Sequence, residues 1–533
     1  MKKKRWKIII AAVLSIYILE GCSSKETEGG ENKLSPAGRI TAAPDITQAA
    51  ETAADTGAED DTDPNYDRNF SVTLEAEDAE FTGGTRIEAS KQGYGGTGYL
   101  NALTTDEDTV SFIVEVPGTG AYDLNFISAG NTGHKENNVL VDGVNAGAAI
   151  VDGDNFSASI VERVYLTAGE HQVVLTKSWG WIYLDALTVT ASPEADPAVY
   201  EVGAALADPE ATDRAKRLMQ YLADMYGEYI ISGQYGDRGT NGAEFTAIHD
   251  ATGEYPAILG LDMIEYTPSR AAHGSTSFDV NYAREFDDQG GIVTFAWHWN
   301  APEKYLINTD EVPWWKGFYT EGTNIDLARI MNGEDPEGYD LLLKDIDVIA
   351  FQLKRLQTME IPILWRPLHE ASGGWFWWGA SGPEPYKELY QLLFDRLTNY
   401  HGIHNLIWVW NGQNKDWYPG GEYVDIVGTD IYPGEKVYTS QVSKFNELVK
   451  WTGNTRKIAA MTENGCMFDP DLAVRDHAMW SYFGTWEGEF LVRNNTYTLS
   501  EQYTETEMLK KVYTSEHVIT LDELPNLSAY GGE

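Results

Sequence analysis

The sequence predicts a β-sandwich (jelly-roll-like) module followed by an α/β domain closed as a (β/α)8 TIM barrel. Three observations predict it. Residues 67–192 carry many short alternating apolar runs broken by turn signals, with no helical period. Residues 205–533 carry eight apolar or aromatic runs separated by helix-like stretches. Between them Ala191-Ser-Pro-Glu-Ala-Asp-Pro197 opens a linker over residues 193–204. In the first domain the strand-like runs are Ser71–Ala76, Thr109–Val116, Gly120–Ser128, Asn138–Val141, Ser159–Leu166, His171–Lys177 and Ile182–Thr190. Pro117-Gly118, Asp142-Gly143 and Ala168-Gly169 mark turns between them. In the second the runs are Tyr229–Tyr235, Ala257–Met263, Ile292–Asn300, Pro362–Glu370, Asn405–Asn411, Val424–Tyr432, Lys457–Glu463 and Ser481–Trp486. The clearest helix is Tyr339–Met359, where Leu342, Ile346, Ile349, Leu353 and Leu356 recur at helical spacing.

Ahead of both lies an address label. Lys2, Lys3, Lys4, Arg5 and Lys7 precede a twelve-residue apolar run, Ile8–Leu19, too short to span a bilayer and suited to a secretory signal. Leu19-Glu20-Gly21-Cys22 resembles a bacterial lipobox, with Glu20 in place of the usual small residue, so residues 1–22 read as a lipoprotein signal with a lipid anchor on Cys22, the alternative being an ordinary cleaved signal with a chance cysteine. Residues 23–66 carry ten acids against three bases, and no aromatic before Tyr66, and read as a disordered acidic tether. The expected location is the outer face of a bacterial cell membrane. Cys466, the second of two cysteines, reads as a buried structural thiol, and the pair excludes a disulfide scaffold.

With 39 Lys+Arg against 82 Asp+Glu the net charge is −43. Phosphate recognition needs clustered cations, so nucleic acid is excluded as a partner, as are anionic surfaces and acidic polymers. A monomer acting on a neutral polymer is the expectation.

In a (β/α)8 barrel the active site lies at the C-terminal ends of the strands. Those ends carry His298, Asn300, His369, Glu370, Asn411, Asp430, Tyr432, Glu463 and Trp486. Glu370 closes the fourth run and Glu463 the seventh. Two carboxyl groups across one glycosidic bond are what its hydrolysis needs. One protonates the leaving oxygen, and the other attacks the anomeric carbon or activates water. If the two lie roughly 5–5.5 Å apart the reaction retains configuration. Glu370 then serves as acid/base and Glu463 as nucleophile. The bland alternative is that each pairs with an arginine at the rim. Eleven of the 17 tryptophans fall between Trp297 and Trp417, and Trp375, Trp377 and Trp378 follow Glu370 closely. Flat rings stack on the C–H faces of uncharged sugars. Mid-strand Trp365 and Trp408 read as core, and Trp375, in a Gly-rich loop, as a sugar subsite. Three motifs are set aside. Gly93-Tyr-Gly95-Gly-Thr-Gly98 has no helix after it, Gly373 stands where a second zinc histidine would follow His369-Glu370, and Ser381 lacks the GxSxG spacing.

Trp365-Arg-Pro-Leu-His-Glu-Ala-Ser-Gly-Gly-Trp-Phe-Trp-Trp-Gly379, Trp297-His298, Asp430-Ile-Tyr432 and Thr462-Glu-Asn-Gly465 resemble glycoside hydrolase family 26, chiefly endo-β-1,4-mannanases. The resemblance implies a retaining barrel enzyme with Glu370 as acid/base and Glu463 as nucleophile, needing no cofactor for catalysis. It implies that His298, His369 and Tyr432 line the subsite that distorts the sugar, with Tyr432 hydrogen-bonding near the nucleophile. It also implies that Trp375 and Trp486 are stacking platforms. Residues 69–192 resemble family 35 carbohydrate-binding modules through Leu74-Glu-Ala-Glu-Asp78, Gly95-Gly-Thr-Gly-Tyr-Leu-Asn101 and Trp179-Gly-Trp-Ile-Tyr-Leu-Asp-Ala-Leu187. That resemblance implies a structural Ca2+, for which Glu75, Glu77 and Asp185 are hard oxygen donors. Trp179 is the expected sugar-stacking residue of the module, with Trp181 in its core.

Three functions follow. The leading one is a surface-anchored retaining endo-β-1,4-mannanase acting on mannan, galactomannan or glucomannan. The second keeps the fold and mechanism but acts on β-1,3-xylan or mixed-linkage β-glucan. The third is a non-catalytic glycan-capture lipoprotein, which keeps the aromatics but does not require both carboxylates.

Overall fold

The computed structural model describes residues 63–130, 135–151, 153–493 and 496–531. The signal segment, Cys22 and nearly all of the acidic tether lie outside the described residues. From Asp63 onward the chain forms one compact unit.

Alternating apolar residues in the first domain close it as two antiparallel sheets. One runs Arg86–Glu88, Tyr99–Ala102, Ile182–Ala191, Gly120–Gly130 and Ser157–Leu166, with Ser71–Glu75 also paired to Ile182–Ala191. The other runs Glu80–Phe81, Thr109–Val116, Gly169–Lys177, Lys135–Val141 and Val144–Val151. Their inner faces bury Leu124, Phe126, Val139, Leu175, Leu184 and Val189 in one core. All seven expected runs are strands. Four others were not read from the sequence. Glu80–Phe81 has two residues, and Val144–Val151 is rich in Gly and Ala, so neither shows a clear alternation.

The second domain is a closed barrel of eight parallel strands, here β1 (Gly233–Tyr235), β2 (Ile258–Asp262), β3 (Ile292–Trp297), β4 (Ile363–Pro367), β5 (Leu406–Trp410), β6 (Ile426–Ile431), β7 (Ile458–Asn464) and β8 (Phe483–Thr485). Each falls inside or within a residue of an expected run. Strands flanked by helices are buried on both faces, so they read as continuous apolar runs. The helix Pro336–Thr358 starts on Asp335, whose side chain caps Gly338 N, and buries the five residues whose spacing predicted it. Trp365 and Trp408 are fully buried, as expected. Among the described residues no helix is long and apolar enough to cross a membrane.

Residues of the linker are seated against the barrel. Tyr200 packs edge-on against Tyr226, and its hydroxyl donates to His477 O at 2.6 Å. Nearby, Glu162 of the sandwich meets the helix Val442–Trp451 through Asn446 and through Lys450 at 2.8 Å, and its backbone N–H donates to Ser443.

Candidate active site

The end of β4 is held in a conformation that ordinary residues avoid. Leu368 and Glu370 have φ of 55° and 53°, each costing on the order of 1–3 kcal/mol. Tertiary bonds offset this. Glu370 N donates to Asn411 O at 2.7 Å, and Trp378 Nε1 donates to His369 O at 2.8 Å. The turn aims the Glu370 side chain across the barrel mouth. The register between β6 and β7 shifts at Thr429/Asp430, a bulge that sets Glu463 opposite Asp430.

Glu370, Asp430 and Glu463 each place an oxygen within 4.8 Å of the others, the one group of three acids or histidines so close among the described residues. Three carboxylates together would suit a cation, but Arg366 already supplies one. Its Nη1 donates to Asp430 Oδ2 at 3.0 Å and its Nη2 to Glu463 Oε1, all inside the barrel. Asn411 Nδ2 and Thr462 Oγ1 complete the bonding of Asp430 Oδ1, at 2.6 and 2.7 Å. Tyr432 donates its O–H to Glu463 Oε2 at 2.7 Å. Trp375 donates its indole N–H to Glu370 Oε2 at 2.9 Å.

Burial pushes the Glu370 carboxyl well above the usual range, and Asp430 and Glu463 add to this by repulsion. Burial also raises Glu463, to about 7, against the pull of Arg366 and the Tyr432 hydroxyl. A proton shared by the pair therefore rests on Glu370, and the charge on Glu463. This is the division of one acid and one anion that sugar transfer requires.

Around the pair stand the expected sugar contacts. Tyr432 is 36% and Trp375 41% exposed, high for such large rings and open to a ligand. Gly373 lets the Trp375 ring fold back, since a Cβ there would lie 2.0 Å from it. Trp486 packs on Tyr235 with ring centres 4.8 Å apart, and 5.8 Å from His298. His298 and His369 meet edge to face, their Nε2 atoms 3.1 Å apart. The structure thus brings Glu370, Glu463, His298, His369, Trp375, Tyr432 and Trp486 to one mouth. Arg366 was missed by sequence reading, although an arginine inside a continuous apolar strand run is itself a signal. Asp262, at the end of β2, was missed too, and was detectable by the strand-end rule that found the others.

The sandwich carries the remaining candidates elsewhere. Among the described residues, Glu75 Oε2 and Glu77 Oε2 are buried and meet no hydrogen-bond partner. Gly95 N donates to both Asp185 oxygens, at 2.9 and 3.0 Å, and a Cβ on Gly96 would lie 2.4 Å from Glu77 Oε1 and 2.9 Å from Glu75 Oε2. Burial raises both Glu75 and Asp185, and the charge of Glu77 adds to each. Uncompensated buried carboxylate oxygens fit a hard cation. The oxygens of this trio do not all lie within 4.8 Å of one another as the barrel's do, and a six- to eight-coordinate ion would need further oxygens. Trp179 is 64% exposed. Trp181 is a correction: it is 38% exposed rather than core, because its backbone turns left-handed at φ 27° and its indole N–H donates to Asn101 Oδ1 at 2.6 Å. Cys466 is buried and free, as read.

Comparison with known proteins places this geometry. The family model "Glycosyl hydrolase family 26" matches residues 207–523, and "Carbohydrate binding module (family 35)" matches residues 72–192. A mannan endo-1,4-beta-mannosidase of Thermothelomyces thermophilus is 40% identical over 455 residues, covering 85% of this chain and 90% of the relative. Mannan endo-1,4-beta-mannosidase B of Piromyces sp is 34% identical over 470 residues, covering 86% and 78%. The crystal structure of the Podospora anserina GH26-CBM35 beta-(1,4)-mannanase superposes with a TM-score of 0.61 at 38% identity, covering 86% of this chain and 100% of that one.

Proposed function

The chain belongs to glycosyl hydrolase family 26, and from that premise we propose that it is a retaining endo-β-1,4-mannanase with a glycan-binding module. The observation that carries the reading is the approach of Glu370 and Glu463 from β4 and β7, one oxygen of each within 4.8 Å. So close an approach matches the roughly 5–5.5 Å of a retaining pair better than the roughly 6.5–9.5 Å of an inverting one, and favours double displacement. Glu370 protonates the leaving oxygen while Glu463, kept ionised by Arg366, attacks the anomeric carbon. A water then enters on the vacated side, Glu370 takes its proton, and the sugar leaves with its configuration retained. His298, His369 and Tyr432 shape the reacting subsite, Trp486 stacks beside them, and Trp375 carries the sugar on the other side of the scissile bond.

Reducing-end release from galactomannan, β-1,3-xylan and mixed-linkage β-glucan tests this, with wild type beside Glu463→Ala. Release from mannan alone, lost in the variant, is the expected result. Release from none of the three would favour glycan capture, and an inverted first product on NMR would refute the mechanism.

The sandwich is proposed to bind structural Ca2+ through Glu75, Glu77 and Asp185, and sugar through Trp179. Export and a lipid on Cys22 are proposed from the basic start, the short apolar run and the lipobox-like tetrapeptide. A Cys22→Ala chain should then appear in the medium rather than the membrane fraction, and equal partitioning would refute the anchor.

A further inference from the structure

The roles given to Glu370 and Glu463 leave unexplained a polar chain that runs from half-buried Asp262 and His298 to fully buried His369. Asp262 ends β2 and neither touches nor neighbours the two glutamates in sequence. Its Oδ2 lies 2.5 Å from His298 Nδ1. Its Oδ1 accepts from His298 N at 3.1 Å and from Ile264 N at 2.8 Å. Beyond it, His298 Nε2 lies 3.1 Å from His369 Nε2. His369 is 1% exposed, in contact with Phe376 and Trp378, and its Nδ1 has no hydrogen-bond partner. Phe318 and Trp486 close on the His298 ring from other sides.

The donor arithmetic is strict. An ionised carboxylate only accepts, so His298 must carry a proton on Nδ1. In the neutral ring His298 Nε2 is then bare and accepts, so His369 Nε2 must carry the proton and donate across the 3.1 Å contact. Thus one carboxylate sets the hydrogen-bonding state of both rings, and His369 is the residue immediately before Glu370.

We infer that Asp262 is a positioning residue of the active site: by accepting the Nδ1–H of His298 it fixes that ring's tautomer and plane, and through the Nε2 contact the ring of His369 beside Glu370. The inference rests on the reading of Glu370 and Glu463 as the catalytic pair. Replacement by asparagine inverts the arrangement. Asparagine has one oxygen, which serves best between the two backbone N–H groups. Its NH2 then faces His298 Nδ1 and forces the proton to Nε2.

The test uses the full chain with 15N-labelled histidine, without substrate, and the His298 signals assigned from a His298→Gln variant. Wild type should show His298 Nδ1 protonated and hydrogen-bonded. Asp262→Asn should show Nδ1 bare, with kcat on mannan down roughly 10- to 100-fold and KM within about threefold of wild type. Asp279→Asn, which removes a neighbouring carboxylate outside the chain, should leave the His298 Nδ1–H in place. A bare Nδ1 in wild type overturns the inference, as does kcat within twofold of wild type in Asp262→Asn, or the same spectral change in Asp279→Asn. If Asp262→Asn does not fold, the wild-type spectrum still decides the tautomer. If wild type hydrolyses no mannan, the catalytic reading falls while the spectra still judge Asp262.

Discussion

The indole N–H of Trp375 donates a 2.9 Å hydrogen bond to Glu370 Oε2, so the ring proposed to carry the sugar and the carboxyl proposed to donate the proton are mechanically joined. The bond favours the ionised form of Glu370 and partly offsets the rise caused by burial. Trp375→Phe keeps a stacking ring and removes the donor. Glu370 then holds its proton to higher pH, and the alkaline limb of the kcat/KM profile should move upward. Trp375→Ala should in addition raise KM through lost stacking. An alkaline limb that stays put in Trp375→Phe would refute the coupling.

Tyr432 acts on the other carboxylate. Its O–H stabilises the ionised form of Glu463, which burial has raised to about 7. Tyr432→Phe should raise Glu463 further, so the acid limb of the profile should move toward higher pH while the alkaline limb stays. A pH titration of kcat/KM on a soluble manno-oligosaccharide reads this directly. Movement of both limbs together would mean a general rearrangement instead.

Glu370→Ala removes the proton donor but leaves Glu463 and Arg366 in place. Polymer hydrolysis should fall by roughly 10²–10⁴-fold. Aryl mannosides with acidic phenol leaving groups need little protonation, so their first step should be nearly preserved and visible as a burst. Equal losses on both substrate types would remove Glu370 from the acid role.

Much of this was legible in the amino-acid order, for identifiable reasons. Parallel barrel strands buried on both faces appear as continuous apolar runs, and the polar residues at the ends of several runs, such as Glu463 after Ile458–Met461, point to the mouth. What stayed hidden was set by distance along the chain. Arg366 meets Glu463 across 97 residues and Asp262 meets His298 across 36. Periodicity reports burial and not partners, so neither contact had a local signature. Trp181 misled for the opposite reason: an apolar residue in an apolar run reads as core, but a left-handed turn between Ser178 and Ile182 puts it outside. The two-residue Glu80–Phe81 and the Gly/Ala-rich Val144–Val151 lacked enough alternation to be read at all.

The unpaired oxygens of Glu75 and Glu77 make a metal-removal prediction. Calcium bound only to the folded module would stabilise it by about 2.7 kcal/mol at a hundredfold excess over Kd. Chelation should therefore lower the melting temperature of the sandwich, and Ca2+ should restore it. Glu75→Gln with Asp185→Asn relieves the repulsion and should abolish the calcium response without lowering the metal-free melting temperature. A melting curve indifferent to chelator and Ca2+ would refute the site.

Asp345 supplies the last prediction. It is buried on the helix Pro336–Thr358, where, among the described residues, the Trp299 indole N–H bonds its Oδ2 at 2.9 Å. Burial pushes it up to about 7, well above an unfolded value of about 3.9. The folded state therefore holds a proton that the unfolded chain releases, and stability falls with rising pH across that window. Below about pH 4 the contribution is fully present, and above about pH 7 it is lost, a change on the order of 4 kcal/mol. Asp345→Asn cannot ionise and its amide oxygen can still accept from Trp299. The variant should therefore gain on wild type between pH 5 and pH 8 in thermal melts, while Trp299 keeps its stacking on Trp297. An identical difference in melting temperature at both pH values would show that Asp345 is already ionised in the folded protein.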